Sequence, residues 1–154
     1  MSRSLFAALA VALVAPTSLA AQGKAPAKEL KWGPAPAVFA PGARFAVVSG
    51  DPSVSGPYVV QLSMPSNYRV APHFHPTDEH VKVVRGTFLV GMGDTVKVAK
   101  MKRLAVGDTI TAPAQMHHYA ETRGRTTVEV SGTGPFQLTY VNPKDMPKAA
   151  KSKH

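Results

Sequence analysis

Short runs of alternating hydrophobic and polar residues dominate the chain from Val38 onward. The apolar positions are mostly β-branched or aromatic and tend to recur at every second residue, as in 58–64 and 126–131. Glycine, proline or aspartate interrupts the pattern about every eight to twelve residues. A period of two is typical of a half-buried strand, and such frequent turns are typical of a sandwich or barrel. The pattern therefore predicts an all-β domain with almost no helix.

The alternation divides one domain into predicted strands. A chain of 154 residues has room for one hydrophobic core of ordinary size, so we expect a single domain over residues 38–143. Residues 21–37 are rich in Pro, Ala and Lys and predict a linker, and residues 144–154 predict a basic disordered tail. The predicted strands are 44–48, 58–64, 68–71, 80–84, 87–91, 101–104, 108–112, 117–120, 126–131 and 136–141.

Residues 1–20 have the anatomy of a secretory signal peptide. Arg3 supplies positive charge, an apolar run covers residues 5–14, and small residues lead to a cleavage site near Ala20. The run is too short to span a bilayer. We therefore expect a periplasmic or secreted protein with no integral membrane segment after processing.

The net charge of +9 is concentrated at the ends of the chain. Residues 38–143 carry ten Lys or Arg against seven Asp or Glu, a net charge of +3, and most other cations lie in the Pro- and Ala-rich flanks. No basic helix, zinc-finger spacing or aromatic and basic platform is present, which argues against a nucleic-acid partner. The chain has no cysteine, so disulfides cannot stabilise an exported domain.

Two short motifs supply candidate metal ligands. The first contains His73, His75 and Glu79 around a predicted strand, turn and strand, and the second contains His118. A single histidine in a strand is more often a surface or hydrogen-bonded residue than a ligand. Four such groups facing one apolar interior would be costly to desolvate, and a shared divalent cation satisfies them together.

Side-chain parity selects which of the adjacent polar residues face inward. Residues two apart on a strand face the same side, so His73 and His75 share a face. Glu79 is in phase with the apolar positions of the strand that follows, which leaves His80 on the surface or rim. The same count favours His118 over His117 as the inward residue.

With these residues the sequence resembles the cupin superfamily, and within it the small exported bacterial single-domain cupins. The family motifs are Gly-x5-His-x-His-x3-4-Glu-x6-Gly and Gly-x5-Pro-x-Gly-x2-His-x3-Asn. The departures lie outside the ligands: Asn67 and Gln115 replace glycines, and Thr122 replaces the final asparagine. Asparagine tolerates the left-handed backbone for which glycine is often used, whereas Gln115 could alter the loop before His118. The matching residues are His73, His75, Glu79, Gly86, Gly107, Pro113 and His118.

The resemblance implies a double-stranded β-helix jelly-roll barrel, over about residues 44–141, with the metal in its mouth. It implies one cupin domain and a homodimer formed through outer strands. Three histidines and one glutamate leave about two coordination positions open in octahedral geometry. This donor set favours iron, manganese or nickel and also accommodates zinc.

The open positions predict a metal-dependent, dioxygenase-like oxidoreductase of the bacterial envelope that acts on a small molecule. Glu79 is the candidate catalytic residue, as a ligand that can also accept a proton. Two alternatives stay open, because a fold and a ligand set do not establish catalysis. One is a non-enzymatic module that binds metal or a small ligand, and the other is a metal-dependent isomerase or hydrolase.

Overall fold

A computed structural model describes residues 29–148, which form nine antiparallel strands and two short 3₁₀ helices. This result confirms the all-β fold that the alternation predicts. The 3₁₀ helices are Val98–Lys100 and Pro143–Asp145. The strands are β1 Gly33–Pro34, β2 Arg44–Ser49, β3 Gly56–Met64, β4 Arg69–Phe74, β5 Glu79–Met92, β6 Lys102–Leu104, β7 Thr109–Ala112, β8 His118–Gly134 and β9 Thr139–Tyr140.

Strand β8 is the centre of a curled sheet. Its C-terminal part pairs with β3, its N-terminal part pairs with β4, and β5 runs beside it along most of its length. On the far side of β5 lie β6 and β7, while β2 and β1 continue the sheet beyond β3. The sheet therefore folds over on itself and encloses the inner faces of β3, β5 and β8.

Two glycines bend the long strands at the positions where the sequence predicts turns. The predicted breaks between strands 80–84 and 87–91 and between strands 117–120 and 126–131 are wrong, because β5 continues through Gly86 and β8 through Gly124. Each glycine has a positive φ, of 81° and 71°. A Cβ atom on Gly86 would lie 2.5 Å from the carbonyl oxygen of Arg125, so only glycine fits this close approach. The bends let each strand contribute to both parts of the curled sheet.

The alternation of burial along β3 shows how the core is built. Tyr58, Val60, Leu62 and Met64 are buried, and the intervening residues Val59, Gln61 and Ser63 are partly exposed. Inward residues of β5 and β8 pack against this face from the other side of the barrel. They include Val81, Val83, Phe88, Val90, Ala120, Val128 and Val130.

The ordered domain extends beyond the predicted boundaries at both ends. Within the predicted linker, β1 pairs with β2, and the Arg44 guanidinium donates a hydrogen bond to the carbonyl oxygen of Trp32. Within the predicted tail, the second 3₁₀ helix reaches Asp145. The predicted signal peptide and residues 149–154 lie outside the described residues. Between residues 29 and 148 there is no helix long and apolar enough to cross a membrane.

Candidate metal centre

The candidate ligands lie at strand ends that the fold brings to one place. His73 is near the end of β4, His75 follows that strand, Glu79 is the first residue of β5 and His118 is the first residue of β8. His73 pairs directly with His118 across β4 and β8. The two motifs, which are about 40 residues apart in sequence, therefore meet on the inner face of the sheet.

The three histidines form a compact cluster with the glutamate beside it. One ring nitrogen from each of His73, His75 and His118 lies within 4.8 Å of the other two. The Glu79 carboxylate lies between two of the rings, with Oε1 at 3.4 Å from Nε2 of His75 and Oε2 at 3.3 Å from Nε2 of His118. All three histidines are buried, and the Glu79 side chain is 13% exposed.

Backbone carbonyls fix the orientation of all three imidazole rings. A carbonyl oxygen only accepts, so each Nδ1 must carry the hydrogen, and each Nε2 keeps its lone pair. This arrangement is the usual support for a histidine that binds metal through Nε2. The hydrogen bonds run from Nδ1 of His73 to Ala71 at 2.7 Å, from Nδ1 of His75 to Gln137 at 2.5 Å, and from Nδ1 of His118 to Met116 at 2.9 Å.

Two of these Nε2 atoms are buried without a hydrogen bond. Among residues 29–148, Nε2 of His75 and Nε2 of His118 are the buried side-chain nitrogen or oxygen atoms that lack a partner. The Glu79 oxygens lie 3.3–3.4 Å away and accept no hydrogen bond from these atoms, so the Nε2 lone pairs face a carboxylate that has lone pairs of its own. A buried, unsatisfied polar atom costs about 1–3 kcal/mol. A divalent cation would satisfy both atoms and the carboxylate together, so the residues fit the metal that the motifs imply.

The electrostatics of the cluster oppose protonation of His73 and favour an ionised Glu79. Burial, together with the nearby His118, lowers the pKa of His73 to about 3. Burial alone would raise the pKa of Glu79, but the adjacent imidazoles outweigh it and lower that pKa below its ordinary value. Burial alone would lower the pKa of His118. The Glu79 carboxylate outweighs burial, and the pKa of His118 lies above its ordinary value. The carboxylate is therefore charged at neutral pH and ready to bind a cation.

The two histidines adjacent to candidate ligands, His80 and His117, lie outside the cluster. His80 is exposed, and its ring lies 2.9 Å from the Thr111 hydroxyl on the outer face. His117 contacts the Asp94 carboxylate at 2.6 Å. Both placements agree with the parity of their strands. The structure thus groups His73, His75, Glu79 and His118 and separates them from His80 and His117.

Two residues that replace motif glycines adopt a backbone conformation that favours glycine. Asn67 and Gln115, which replace glycines, both adopt a left-handed conformation with φ of 57° and 62°. The backbone N–H of Gln115 donates to the carbonyl oxygen of His75 at 2.9 Å, so the loop before His118 is held against the first motif. Thr122, which replaces asparagine, is fully buried and joins β8 to the chain before β4.

The cluster borders a small apolar cavity of about 40 Å³ inside the barrel. Side chains of His73, Glu79 and His118 contribute the polar part of its lining. Hydrophobic residues of β3, β5 and β8 form most of the remaining wall. This placement, with ligands on one side and an apolar chamber on the other, suits a site that binds a small molecule beside a metal.

Comparisons with known proteins rest on structure, since no family model and no curated protein matches the sequence. The polyketide cyclase RemF from Streptomyces resistomycificus has a TM-score of 0.64 and 15% identity over 80% of this chain and 88% of its own. A candidate acetylacetone dioxygenase from Methylibium petroleiphilum has a TM-score of 0.57 and 22% identity over 78% and 81%. A cupin 2 domain-containing protein from Halorhodospira halophila has a TM-score of 0.55 and 16% identity over 68% and 73%.

These similarities establish the fold of the chain as the cupin jelly roll. They agree with the family resemblance found in the two sequence motifs. Identity of 22% or less does not transfer an activity or a substrate from any of these proteins.

Proposed function

We propose that this cupin-fold protein holds one divalent transition metal ion through His73, His75, Glu79 and His118 and acts on a small molecule beside it. The observation that carries the proposal is the pair of buried Nε2 atoms on His75 and His118 that point at the Glu79 carboxylate without hydrogen bonds. Nothing else in the described residues satisfies these atoms.

The protein's own residues have separable roles in this proposal. The three histidines would bind the ion through Nε2, with each ring held in place by its backbone carbonyl. Glu79 would complete the set as a negatively charged ligand and could accept a proton from a bound molecule at its free oxygen. When bound, such an ion supplies Lewis-acid or redox chemistry at its open coordination positions.

The surroundings of the cluster support chemistry that excludes bulk water. The ligand side chains are almost entirely buried, and the cavity beside them is lined mainly by hydrocarbon. A charged intermediate in such a site would interact strongly with Glu79 and the ion, because little water screens them. Limited access for water also protects a bound molecule from hydrolysis.

For the reaction class, we propose a dioxygenase-like oxidation, with the similar fold of the candidate acetylacetone dioxygenase as supporting context. The test is oxygen uptake by protein loaded separately with iron, manganese or nickel, across enolic, phenolic and keto-acid compounds. Uptake should be lost in His118→Ala and kept in His80→Ala, since His80 lies on the outer face. Turnover that needs metal but no oxygen would indicate an isomerase or hydrolase instead. Ligand binding without any turnover would indicate a non-enzymatic binding module.

For location, we propose export to the bacterial envelope, supported by the signal-peptide anatomy of residues 1–20. N-terminal sequencing of protein recovered from the periplasmic fraction should find a chain that begins just after Ala20. An intact N-terminus on cytoplasmic protein would contradict this proposal.

A further inference from the structure

We propose that the molecule bound at this site has one chelating, oxygen-rich end and a short, uncharged alkyl body of about three or four carbon atoms. The chelating end would reach the metal, and the body would fill the barrel cavity. The inference rests on the proposed function, because the metal must be present to bind the polar end. It goes further by naming the polarity and the size of the substrate.

The polarity follows from the chemistry of the cavity wall. Seventeen of its twenty lining residues are apolar, and the three polar ones are His73, Glu79 and His118. These three are all candidate metal ligands. No other side chain on the wall can donate or accept a strong hydrogen bond, so a second polar group on the substrate would have no partner inside the barrel.

An unpaired polar group in this cavity would be strongly disfavoured. Moving a hydroxyl or amide into an apolar site without a hydrogen bond costs a few kcal/mol, and moving a carboxylate costs more. Sugars, amino acids and dicarboxylates therefore fit poorly, although their carboxylate or hydroxyl groups could chelate the metal. An alkyl body avoids this cost and gains from leaving water.

The size follows from the volume of the cavity. About 40 Å³ corresponds to space for roughly three water molecules, which a short alkyl chain can occupy. Pairing of neighbouring strands holds the backbone of the wall, so the side chains that line it set the size of the cavity. Leu62 of β3 is 6% exposed and forms part of this wall, so its side chain limits the space for the body.

The exposed position of Met92 indicates how the bound molecule is oriented in the cavity. This residue lies directly opposite His118 across β5 and β8, and it is the most exposed hydrophobic residue of the cavity lining, at 46%. Residues that face each other on neighbouring antiparallel strands share a side of the sheet. Met92 therefore marks the mouth beside the ligands, and the rest of the cavity lies deeper in the barrel. The polar end of the bound molecule sits at the mouth and its alkyl body points inward.

A series of hydroxamates tests the proposal, since a hydroxamate chelates metal through two oxygens. Calorimetry on zinc-loaded protein would compare acetohydroxamate, butyrohydroxamate, octanohydroxamate and the monohydroxamate of succinic acid. Affinity should rise about fourfold for each methylene from acetohydroxamate to butyrohydroxamate, and should gain nothing further at octanohydroxamate. The succinic compound matches butyrohydroxamate in length but ends in a carboxylate, and it should bind at least about 100-fold more weakly.

Two variants of buried leucines distinguish the effect of cavity size on hydroxamate binding from the effect of general destabilisation. Leu62→Ala enlarges the cavity and should move the preferred chain to a longer hydroxamate. Leu104→Ala removes another buried leucine, which does not line the cavity, and it should leave the preference unchanged. If Leu62→Ala does not fold, the wild-type series decides alone.

Equal binding of the carboxylate-ended compound, or affinity that does not depend on chain length, would overturn the inference while leaving the metal site intact. Failure of the wild-type protein to bind any of zinc, iron, manganese and nickel would instead overturn the proposed function and this inference with it. The two failures are therefore distinguishable in one set of measurements.

Discussion

The carbonyl oxygen of Gln137 accepts a 2.5 Å hydrogen bond from Nδ1 of His75, which lies 62 residues earlier in the chain. The contact turns the His75 ring so that its Nε2 faces the Glu79 carboxylate. The segment between β8 and β9 therefore takes part in the candidate metal centre without contributing a ligand. Its role is to orient a ring that would otherwise rotate about its side-chain bonds.

The pKa of His73 predicts how stability of the metal-free protein depends on pH. The folded state lowers this pKa to about 3 from the ordinary value of 6.5, so between these values the unfolded chain binds more protons. The free energy of unfolding should therefore rise with pH across this window. His73 should contribute about 2–3 kcal/mol to the rise in the free energy of unfolding between pH 4.5 and pH 6.5. Urea unfolding at several pH values measures it.

A variant isolates this contribution. His73→Gln should remove most of the rise between pH 4.5 and 6.5, whereas His80→Gln, at an exposed position, should keep it. His118 acts in the opposite direction and at higher pH, because its raised pKa stabilises the fold below 6.5 and that stability is lost as pH rises through the folded pKa. An unchanged slope in His73→Gln would contradict the assignment.

Replacing Gln115 with glycine should stabilise the protein. Gln115 adopts a φ of 62°, a conformation that costs a residue with a side chain about 1 kcal/mol. Gln115→Gly should therefore raise the free energy of unfolding by up to about 0.6 kcal/mol, because greater chain entropy in the unfolded state offsets about 0.4–1 kcal/mol of the relieved strain. Asn67→Gly is the matched comparison, and its gain should be smaller because asparagine tolerates this conformation. Chemical denaturation compares both variants, and destabilisation by Gln115→Gly would contradict the expectation.

Replacing Thr122 with valine should destabilise the protein without changing its shape. The Thr122 hydroxyl accepts a hydrogen bond from the backbone N–H of Tyr68 at 2.9 Å and donates one to the carbonyl oxygen of Pro65 at 2.6 Å. Valine would leave both groups without this partner, at a cost of about 2–4 kcal/mol. Thr122→Ser keeps the hydroxyl and should lose much less. Equal losses in the two variants would show that packing, not hydrogen bonding, makes Thr122 important.

The sequence contained the information needed to orient the candidate ligands. Parity along each strand separates His118 from His117 and Glu79 from His80, because neighbouring side chains on a strand face opposite sides. The same alternation predicts most strands of the core. These features are local, so they can be found without knowing which strands pair.

Features that depend on long-range packing could not be predicted in this way. Gly86 and Gly124 look like turn residues, but pairing with neighbouring strands carries β5 and β8 through them as bends. The strand β1 lies in the Pro-rich segment that the sequence predicts to be a linker. Only its pairing with β2 shows that it is part of the sheet. The carbonyl of Gln137 has no sequence signal at all, because every residue carries a carbonyl.

Elemental analysis of protein purified from its export compartment tests the central claim most directly. The wild-type protein should contain about one divalent transition metal ion per chain, and His75→Ala and His118→Ala should each lose it. His80→Ala and His117→Ala should retain it, because those residues lie outside the cluster. A wild-type protein that stays free of metal, or His75→Ala and His118→Ala variants with unchanged metal content and stability, would contradict the account.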